Sequence, residues 1–315
     1  MTLDANTTAF LFPGQGSQKV GMGKELAAAH PEARQVFEEA DATLGIALSA
    51  LAWDGPEAEL NDTVNTQPVL LVHSVAALRV FQKLHPGFTP AYVAGHSLGE
   101  LSAAVAAGAM DYASALRLVR RRGELMKEAG TQAPGGMAAI LGLDIPALDA
   151  ICAEASTGGE VVQVANDNCP GQVVISGHAD AVTRAMEAAK AAGAKRALPL
   201  PVSIAAHSAL MATAQAGFNE AVAAANITDP TTPLIGNVSA APLADAGALR
   251  ADLQAQLTSR VRWTETIQAL RAAGVTTFIE LGTGNVLAGL LKRIDADAVG
   301  IALGTPEDFE KLAAG

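Results

Sequence analysis

Residues 92–107 read YVAGHSLGELSAAVAA, and this stretch decides the fold. Its apolar beginning predicts a short strand, and residues 100–107 predict a helix. The pattern Gly-x-Ser-x-Gly lies between them, in the strand-to-helix context in which such a turn exposes a nucleophilic serine. Ser97 is therefore a predicted nucleophile, and the Leu98 amide, at a helix N-terminus, is a predicted donor to an oxyanion. The alternative is an ordinary glycine-rich turn.

Strands and helices on both sides of this turn predict one α/β domain. Apolar residues 7–12 form a strand, and the glycine-rich loop 13–23 follows it. Near the other end, a strand at 276–281 leads through Gly282-Thr283-Gly284 into a helix at 285–294. Further predicted helices cover 23–29, 32–44, 67–84 with Pro68 in its first turn, and 112–129.

Residues 134–202 have a different pattern and predict an inserted subdomain, called the insert below. Strands and helices alternate there in the order β-α-β-β-α-β, which is typical of a ferredoxin-like unit. The two middle strands are joined by a predicted loop, 166–171. The chain of 315 residues has room for this small unit beside a large one. The predicted large unit, made of residues 1–133 and 203–315, contains the parallel sheet. The predicted strands of the insert are 137–143, 161–165, 172–176 and 196–202, and its helices are 146–155 and 179–192.

Charge and composition argue against several classes of protein. The net charge of −11 disfavours nucleic acid as the main partner. No run reaches about 18 uninterrupted apolar residues, so no membrane span is expected. Asp4 lies in an N-terminus without Lys or Arg, which disfavours a secretory signal. Cys152 and Cys169 form no disulfide framework, so a cytoplasmic location is expected.

A serine nucleophile needs a base, and six histidines compete for that role. His207, after the last strand of the insert, remains by elimination, because His96 adjoins Ser97 and should point away from it. The alternative for His207 is a helix-capping surface residue. No Asp or Glu stands out as the group that orients the imidazole, and a backbone carbonyl could serve instead.

Arg122 occupies a position in the apolar stripe of its helix, between Leu118 and Met126. Burial of an unpaired guanidinium is costly, and its planar fork fits a carboxylate. The spacing allows either a substrate carboxylate or an internal salt bridge to a protein acid, and it does not decide between them.

The loop 13–23 resembles a phosphate-binding loop only in part. Gly16 and Gly21 have the required spacing, but Met22 stands where that motif needs Lys. A loop that reaches the nucleophile is the better interpretation, with the Gln15 amide as a donor to the oxyanion.

Together, these segments resemble the malonyl-CoA:acyl-carrier-protein transacylases of bacterial fatty-acid synthesis, over nearly the whole chain. The segments that carry the resemblance are Phe12–Gln18, Thr66–Pro68, Gly95–Glu100, Arg122-Gly123, Gly136–Ile140, Asn168–Gly177, Gly193–Ser203, His207 and Gln256–Trp263.

The resemblance implies roles for individual residues. Ser97 would be the nucleophile and His207 its base, with the backbone carbonyl of Gln256 orienting the imidazole. The Gln15 and Leu98 amides would form the oxyanion hole. Arg122 would bind the malonyl carboxylate. The residues implied to lie at the substrate beside Arg122 are His96, Met126 and Asn168.

The resemblance also implies substrate, partner and fold. The fold would be a hydrolase-like α/β domain with a ferredoxin-like insert. Malonyl-CoA would be the substrate, with no bound cofactor and no metal. The chain would be a monomer with an acidic acyl carrier protein as its transient partner, and exposed cations could form a basic patch for that partner. The candidate residues are Lys195, Arg196, Lys292, Arg293, Arg120 and Arg121.

Three positions depart from the family pattern. Arg260 and Thr283 each stand where a proline is usual, which affects loop detail. Ala206 stands where serine is common, which bears on the choice between malonyl and methylmalonyl groups. Three rival functions remain at this point: a serine esterase or thioesterase, a trans-acting acyltransferase of polyketide synthesis, and a non-enzymatic binding module.

Overall fold

A computed structural model describes residues 3–314, which contain two β-sheets and helices packed around them. The strands are β1 Thr8–Phe12, β2 Tyr92–Gly95, β3 Gly135–Leu141, β4 Val162–Cys169, β5 Gln172–His178, β6 Arg196–Pro199, β7 Leu234–Ile235, β8 Thr277–Leu281 and β9 Val299–Leu303. The helices are α1 Lys24–Ala29, α2 Pro31–Leu44, α3 Leu48–Asp54, α4 Glu57–Leu60, α5 Thr63–Leu84, α6 Gly99–Ala106, α7 Tyr112–Gln132, α8 Ile145–Ala155, α9 Ala179–Ala191, α10 Ala212–Ala224, α11 Ala246–Gln256, α12 Trp263–Ala272, α13 Val286–Ile294 and α14 Pro306–Ala314. No helix in this part of the chain combines the length and the apolar character that a bilayer crossing requires.

The five-stranded sheet is parallel, in the order β7-β2-β1-β8-β9. Strand β1 lies at its centre and is completely buried. Phe10 and Phe12 join a core formed with α2, α5 and α7, whereas Ala9 and Leu11 join one formed with α12 and α13. Because alternate residues point to opposite faces, helices cover both sides of the sheet, as in hydrolase-like α/β folds.

The four-stranded sheet is antiparallel, in the order β4-β5-β3-β6. Helices α8 and α9 contribute to the core of this sheet. This order and these connections are those of a ferredoxin-like unit. The predicted fold class, an α/β parallel-sheet unit with a ferredoxin-like insert, is confirmed. The proposed boundaries at residues 134 and 202 stay predictions.

The prediction that Pro68 lies in the first turn of its helix is wrong. Helix α5 begins at Thr63, where Asp62 accepts a hydrogen bond from the Val64 amide. Pro68 has no N–H, so the Val64 carbonyl four residues earlier lacks its helical donor. Arg120 of α7 donates to that carbonyl at 3.2 Å instead. A side chain from another helix therefore makes an internal proline tolerable.

The prediction of a loop at 166–171 is also wrong in part, because β4 continues to Cys169. Two register shifts interrupt its pairing with β5, and they obscure the strand pattern in the sequence. On its other edge β4 pairs with Val261, whose N–H donates to the Ala165 carbonyl at 2.8 Å. This ladder attaches the insert to the segment between α11 and α12.

Candidate active site

Ser97 lies in the turn between β2 and α6, with a left-handed backbone conformation (φ 53°). The glycines of the turn are required by close packing. A Cβ on Gly95 would lie 1.9 Å from the Gly99 carbonyl oxygen, and one on Gly99 would lie 2.2 Å from the Phe12 carbonyl oxygen. Strain of this kind is maintained only where the surrounding structure enforces it.

Asn237, just after β7, supports this turn from the neighbouring strand. Its Oδ1 accepts from the Ser97 N–H at 2.7 Å, and its Nδ2 donates to the Gly95 carbonyl at 2.7 Å. Strand β7 has only two residues. No signal in the sequence pointed to Asn237, since the strand that positions it is so short.

His207 contacts the serine, with 2.8 Å between its Nε2 and Ser97 Oγ. Its Nδ1 lies 2.9 Å from the Gln256 carbonyl oxygen and 3.1 Å from that of Ser259. Two acceptors at Nδ1 place the ring proton there, which leaves the Nε2 lone pair for the serine hydroxyl. Burial, and then the nearby charge of Arg122, lower the pKa of His207 to about 3. The neutral imidazole is thus the form present at neutral pH.

Arg122 on α7 is buried and reaches the same serine. Its guanidinium donates to Gln67 Oε1 at 2.7 Å, to Gln256 Oε1 at 2.8 Å and to Ser97 Oγ at 3.1 Å. Burial lowers its pKa to about 10, so it remains a cation at neutral pH. None of the ion pairs between described residues includes Arg122. The described residues therefore do not form the internal salt bridge that the sequence left open.

The two predicted oxyanion donors lie on either side of the turn. Leu98 precedes the first residue of α6, and the loop containing Gln15 follows β1. A hydrogen bond of 3.0 Å from the His96 amide to the Phe12 carbonyl joins that loop to the turn. Within the described part of the chain, neither the Gln15 nor the Leu98 amide has a hydrogen-bond acceptor.

The three predicted substrate neighbours line the same region. His96 Nε2 lies 2.9 Å from Asn168 Oδ1, so the turn contacts strand β4 of the insert. Because burial lowers the pKa of His96, its neutral ring donates to that amide oxygen. The sulfur of Met126 lies 3.3 Å from Gln67 Nε2, beside the Arg122 side chain. Asn168 thus contacts His96, which adjoins Ser97, and Met126 contacts Gln67, which accepts a hydrogen bond from Arg122.

The insert also supplies Gln163, which the sequence did not single out. Its Nε2 donates to the carbonyls of His207 and Thr258 at 3.2 Å each, and its Oε1 accepts from the Ala209 amide at 3.1 Å. Gln163 therefore holds the segment containing His207 against the chain that follows Gln256. A polar residue within a strand pattern was the only signal for it.

Five of the six candidate carrier-protein cations are exposed, and Arg120 is half-buried. Arg293 donates to the Pro170 carbonyl and to the side chain of Gln172, and the stem of Lys195 packs against Gly142. The Gly142 amide bonds to the Gly171 carbonyl, so Lys195 and Arg293 flank the β4–β5 turn. Arg196 and Lys292 are exposed on neighbouring elements. Arg120 is instead occupied with Val64, Asn65 and Glu124.

No three His, Cys, Asp or Glu side chains among residues 3–314 are grouped as metal ligands would be. The arrangement is instead that of a serine, a neutral imidazole and a buried cation with no ion-pair partner among those residues. A cation beside an acylated serine can bind an acyl group that ends in a carboxylate. This chemistry corresponds to that of the proteins that the chain resembles.

Residues 9–296 match the acyl transferase domain family. The malonyl CoA-acyl carrier protein transacylase of Bacillus subtilis is 49% identical over 302 residues, covering 96% of this chain and 95% of that protein. An acyl carrier protein S-malonyltransferase structure from Vibrio cholerae superposes with a TM-score of 0.93 at 46% identity, covering 97% of this chain and 99% of that one. A malonyl-transacylase solved in complex with its type II PKS acyl-carrier protein has a TM-score of 0.93 at 45% identity, covering 96% and 98%. The chain therefore belongs to the acyl transferase domain family, and sequence and fold together group it with the malonyl CoA-acyl carrier protein transacylases.

Proposed function

We propose that this chain transfers a malonyl group from malonyl-CoA to the phosphopantetheine thiol of an acyl carrier protein, which supplies extender units for fatty-acid synthesis. The observation that carries this proposal is Arg122. It is a buried cation that forms no ion pair with any residue the structure describes, and it lies 3.1 Å from the oxygen of Ser97. An esterase that acts on neutral acyl groups would have no need for such a cation.

In the first half-reaction, Ser97 Oγ attacks the thioester carbonyl while its proton moves to His207 Nε2. The amides of Gln15 and Leu98 receive the developing oxyanion, where loss of one donor would cost about 3–4 kcal/mol. The carbon–sulfur bond then breaks, the proton moves from His207 to the departing CoA thiolate, and a malonyl ester remains on Ser97. Arg122 holds the free carboxylate throughout and orients the carbonyl.

In the second half-reaction, the carrier thiol follows the reverse path. It loses its proton to His207, attacks the ester carbonyl and releases Ser97, which takes the proton back. This is ping-pong covalent catalysis. The carbonyls of Gln256 and Ser259 orient His207 without a negative charge, which is sufficient in the first half-reaction because a thioester is already an activated acyl donor.

The partner side of the proposal rests on the β4–β5 turn. Lys195 and Arg293 flank this turn and could attract an acidic carrier protein, with Arg196 and Lys292 nearby. A relative that is 45% identical has been solved with its acyl-carrier protein. The proposed steps use only protein groups and two thiols, so no bound cofactor is proposed. The monomeric state, the cytoplasmic location and the domain boundaries stay predictions.

Intact mass after mixing with malonyl-CoA alone tests the proposal. A stoichiometric malonyl adduct on Ser97, which forms poorly in Arg122→Ala and is discharged by carrier protein, is the expected result. An equal adduct from acetyl-CoA, or rapid steady hydrolysis without an acceptor, would favour an esterase. Parallel assays with fatty-acid and polyketide carrier proteins then identify the pathway.

A further inference from the structure

A fully buried acid, Glu100, lies behind the candidate active site. It is the second residue of α6, and its Oε2 accepts a short hydrogen bond from Gln256 Nε2. Its other oxygen, Oε1, is buried and lacks a well-aligned donor among the described residues, and the Asn237 backbone is the other donor near this carboxyl group. A carboxylate oxygen without a donor is costly to bury, whereas a protonated carboxyl at that position can itself donate.

The acceptor for such a proton is Asp252 on α11. The two carboxyl groups are within hydrogen-bonding reach of each other. Asp252 accepts from the Val238 amide at 3.2 Å and from both the amide and the hydroxyl of Ser239 at 3.3 Å. The negative charge of the pair therefore belongs on Asp252, which has three donors, and the proton on Glu100.

The side chain of Gln256 joins this acid pair to the active site. Its Nε2 donates to Glu100 and to the Ser97 carbonyl at 3.1 Å, and its Oε1 accepts from Arg122 at 2.8 Å. A flipped amide would place its NH₂ against the guanidinium donors and its oxygen against two acceptors. The side-chain oxygen Oε2 of Glu100, together with the Ser97 carbonyl, thus selects the one amide orientation that Arg122 can use.

We propose that Glu100 is a positioning residue that stays protonated through Asp252, so that it orients Gln256 without neutralising the charge of Arg122. An ionised Glu100 would orient the amide equally well. It would also place a negative charge one side chain away from Arg122 and weaken the attraction for a substrate carboxylate. Protonation of Glu100 keeps the hydrogen bond that orients Gln256 and removes the negative charge near Arg122.

The surroundings of Glu100 agree with this assignment. Burial, and then the Asp252 charge, raise the pKa of Glu100 well above its usual value. The charged or titratable groups near it are Asp252, Arg122 and, across Gln256, His207. Hydrogen bonds from the Gln256 side chain and the Asn237 backbone favour the ionised form, but burial and the Asp252 charge outweigh them.

Two substitutions separate positioning from a purely structural role; their kinetic test rests on the proposed function. Asp252→Asn can donate to Glu100 Oε1, so the proton on Glu100 is no longer needed. We expect the KM for malonyl-CoA to rise about fivefold, and more at higher pH, with kcat changed less than about twofold. In Glu100→Gln the amide imitates the protonated acid. The double variant that combines Glu100→Gln with Asp252→Asn should therefore have a KM close to that of the unsubstituted chain.

A pH-independent rise of KM in Asp252→Asn, or a double variant that is no better than the single one, would overturn the proposal. The exposed acid Glu128 on α7 provides the matched control, Glu128→Gln, for loss of a carboxylate elsewhere.

Infrared difference spectra of the unliganded protein test the proton directly. A protonated carboxyl band at neutral pH should be present in the unsubstituted chain, lost in Glu100→Gln and retained in Glu280→Gln, which alters the other fully buried glutamate. Absence of a Glu100 band refutes the proposal even if the protein is active. If the unsubstituted chain forms no malonyl ester, the proposed function fails, but the spectra still decide the state of Glu100.

Discussion

The five-stranded sheet and the insert contribute to the candidate site in different ways. Ser97, His207 and Arg122, the groups proposed to react or carry charge, belong to segments around the parallel sheet. The insert contributes two neutral amides, Gln163 and Asn168, which contact the His207 segment and His96. The parallel sheet therefore supplies the chemistry, and the insert supports the residues that carry it out.

This division has a physical basis. Parallel strands end at one edge of a sheet, where a strand-to-helix turn can expose Ser97 beside a helix N-terminus. An antiparallel sheet with helices on one face offers its edge strand instead, and β4 uses that edge to pair with Val261. Changes in the two regions should therefore differ in size and in the kinetic constant that they affect.

The largest effect is expected at the turn itself. Ser97→Ala removes the atom that forms the ester, so the transfer rate should fall about 10⁴-fold or more. Malonyl transfer to carrier protein, followed by mass spectrometry, measures it. Ser102→Ala, which alters a buried serine on the helix α6 that follows the turn, is the control for a lost hydroxyl. If Ser97→Ala still transfers malonyl groups, another residue forms the ester, and the turn of the parallel sheet does not supply the nucleophile.

Arg122→Ala should have the next largest effect, and it also alters the pH profile. Loss of the carboxylate partner should reduce kcat/KM for malonyl-CoA about 10²- to 10³-fold and for acetyl-CoA far less. Burial, and then the Arg122 charge, hold the pKa of His207 at about 3, so loss of the charge should raise that pKa, while burial keeps it below its usual value. The base is active only when neutral, so the acid limb of Ser97 labelling by a neutral phosphonate should move to higher pH. An unchanged limb would mean that the Arg122 charge does not act on the base.

A smaller effect is expected from the insert. Gln163→Ala removes three hydrogen bonds around the His207 segment, and kcat should fall about 10- to 30-fold with little change in KM. Steady-state kinetics measure both constants, with the exposed Gln132→Ala as the control. A loss as large as that of Ser97→Ala would show that the insert takes part in the chemistry.

The smallest effect is expected where the two regions meet at the surface. Arg260 forms an ion pair with Asp149 of the insert, with both side chains partly exposed. Arg260→Ala should lower the free energy of unfolding by less than about 1 kcal/mol. Urea titration measures it, and Lys311→Ala, which breaks the exposed pair within α14, is the reference. A much larger loss would mean that this pair, and not the Val261 ladder, holds the insert in place.

Much of this architecture could be predicted from local patterns. The Ser97 turn, the ferredoxin-like order of the insert and the apolar strand β1 each depend on residues close together in the chain. Strands β7 and β9 were not predicted, since one is two residues long and the other is a partly exposed edge strand. The end of β4 was missed because its two register shifts break the alternation of side chains.

The sequence by itself determined the fold class, the nucleophile turn and the list of candidate residues, because glycine spacing and apolar periodicity act locally. Only the tertiary structure decided that Arg122 contacts Ser97 and, among the described residues, forms no ion pair, and that Asn237 and Gln163 support the site. These contacts join residues more than 20 positions apart, and many different side chains could make each of them. Their partners are set by how the helices pack on the two sheets, which no local pattern records.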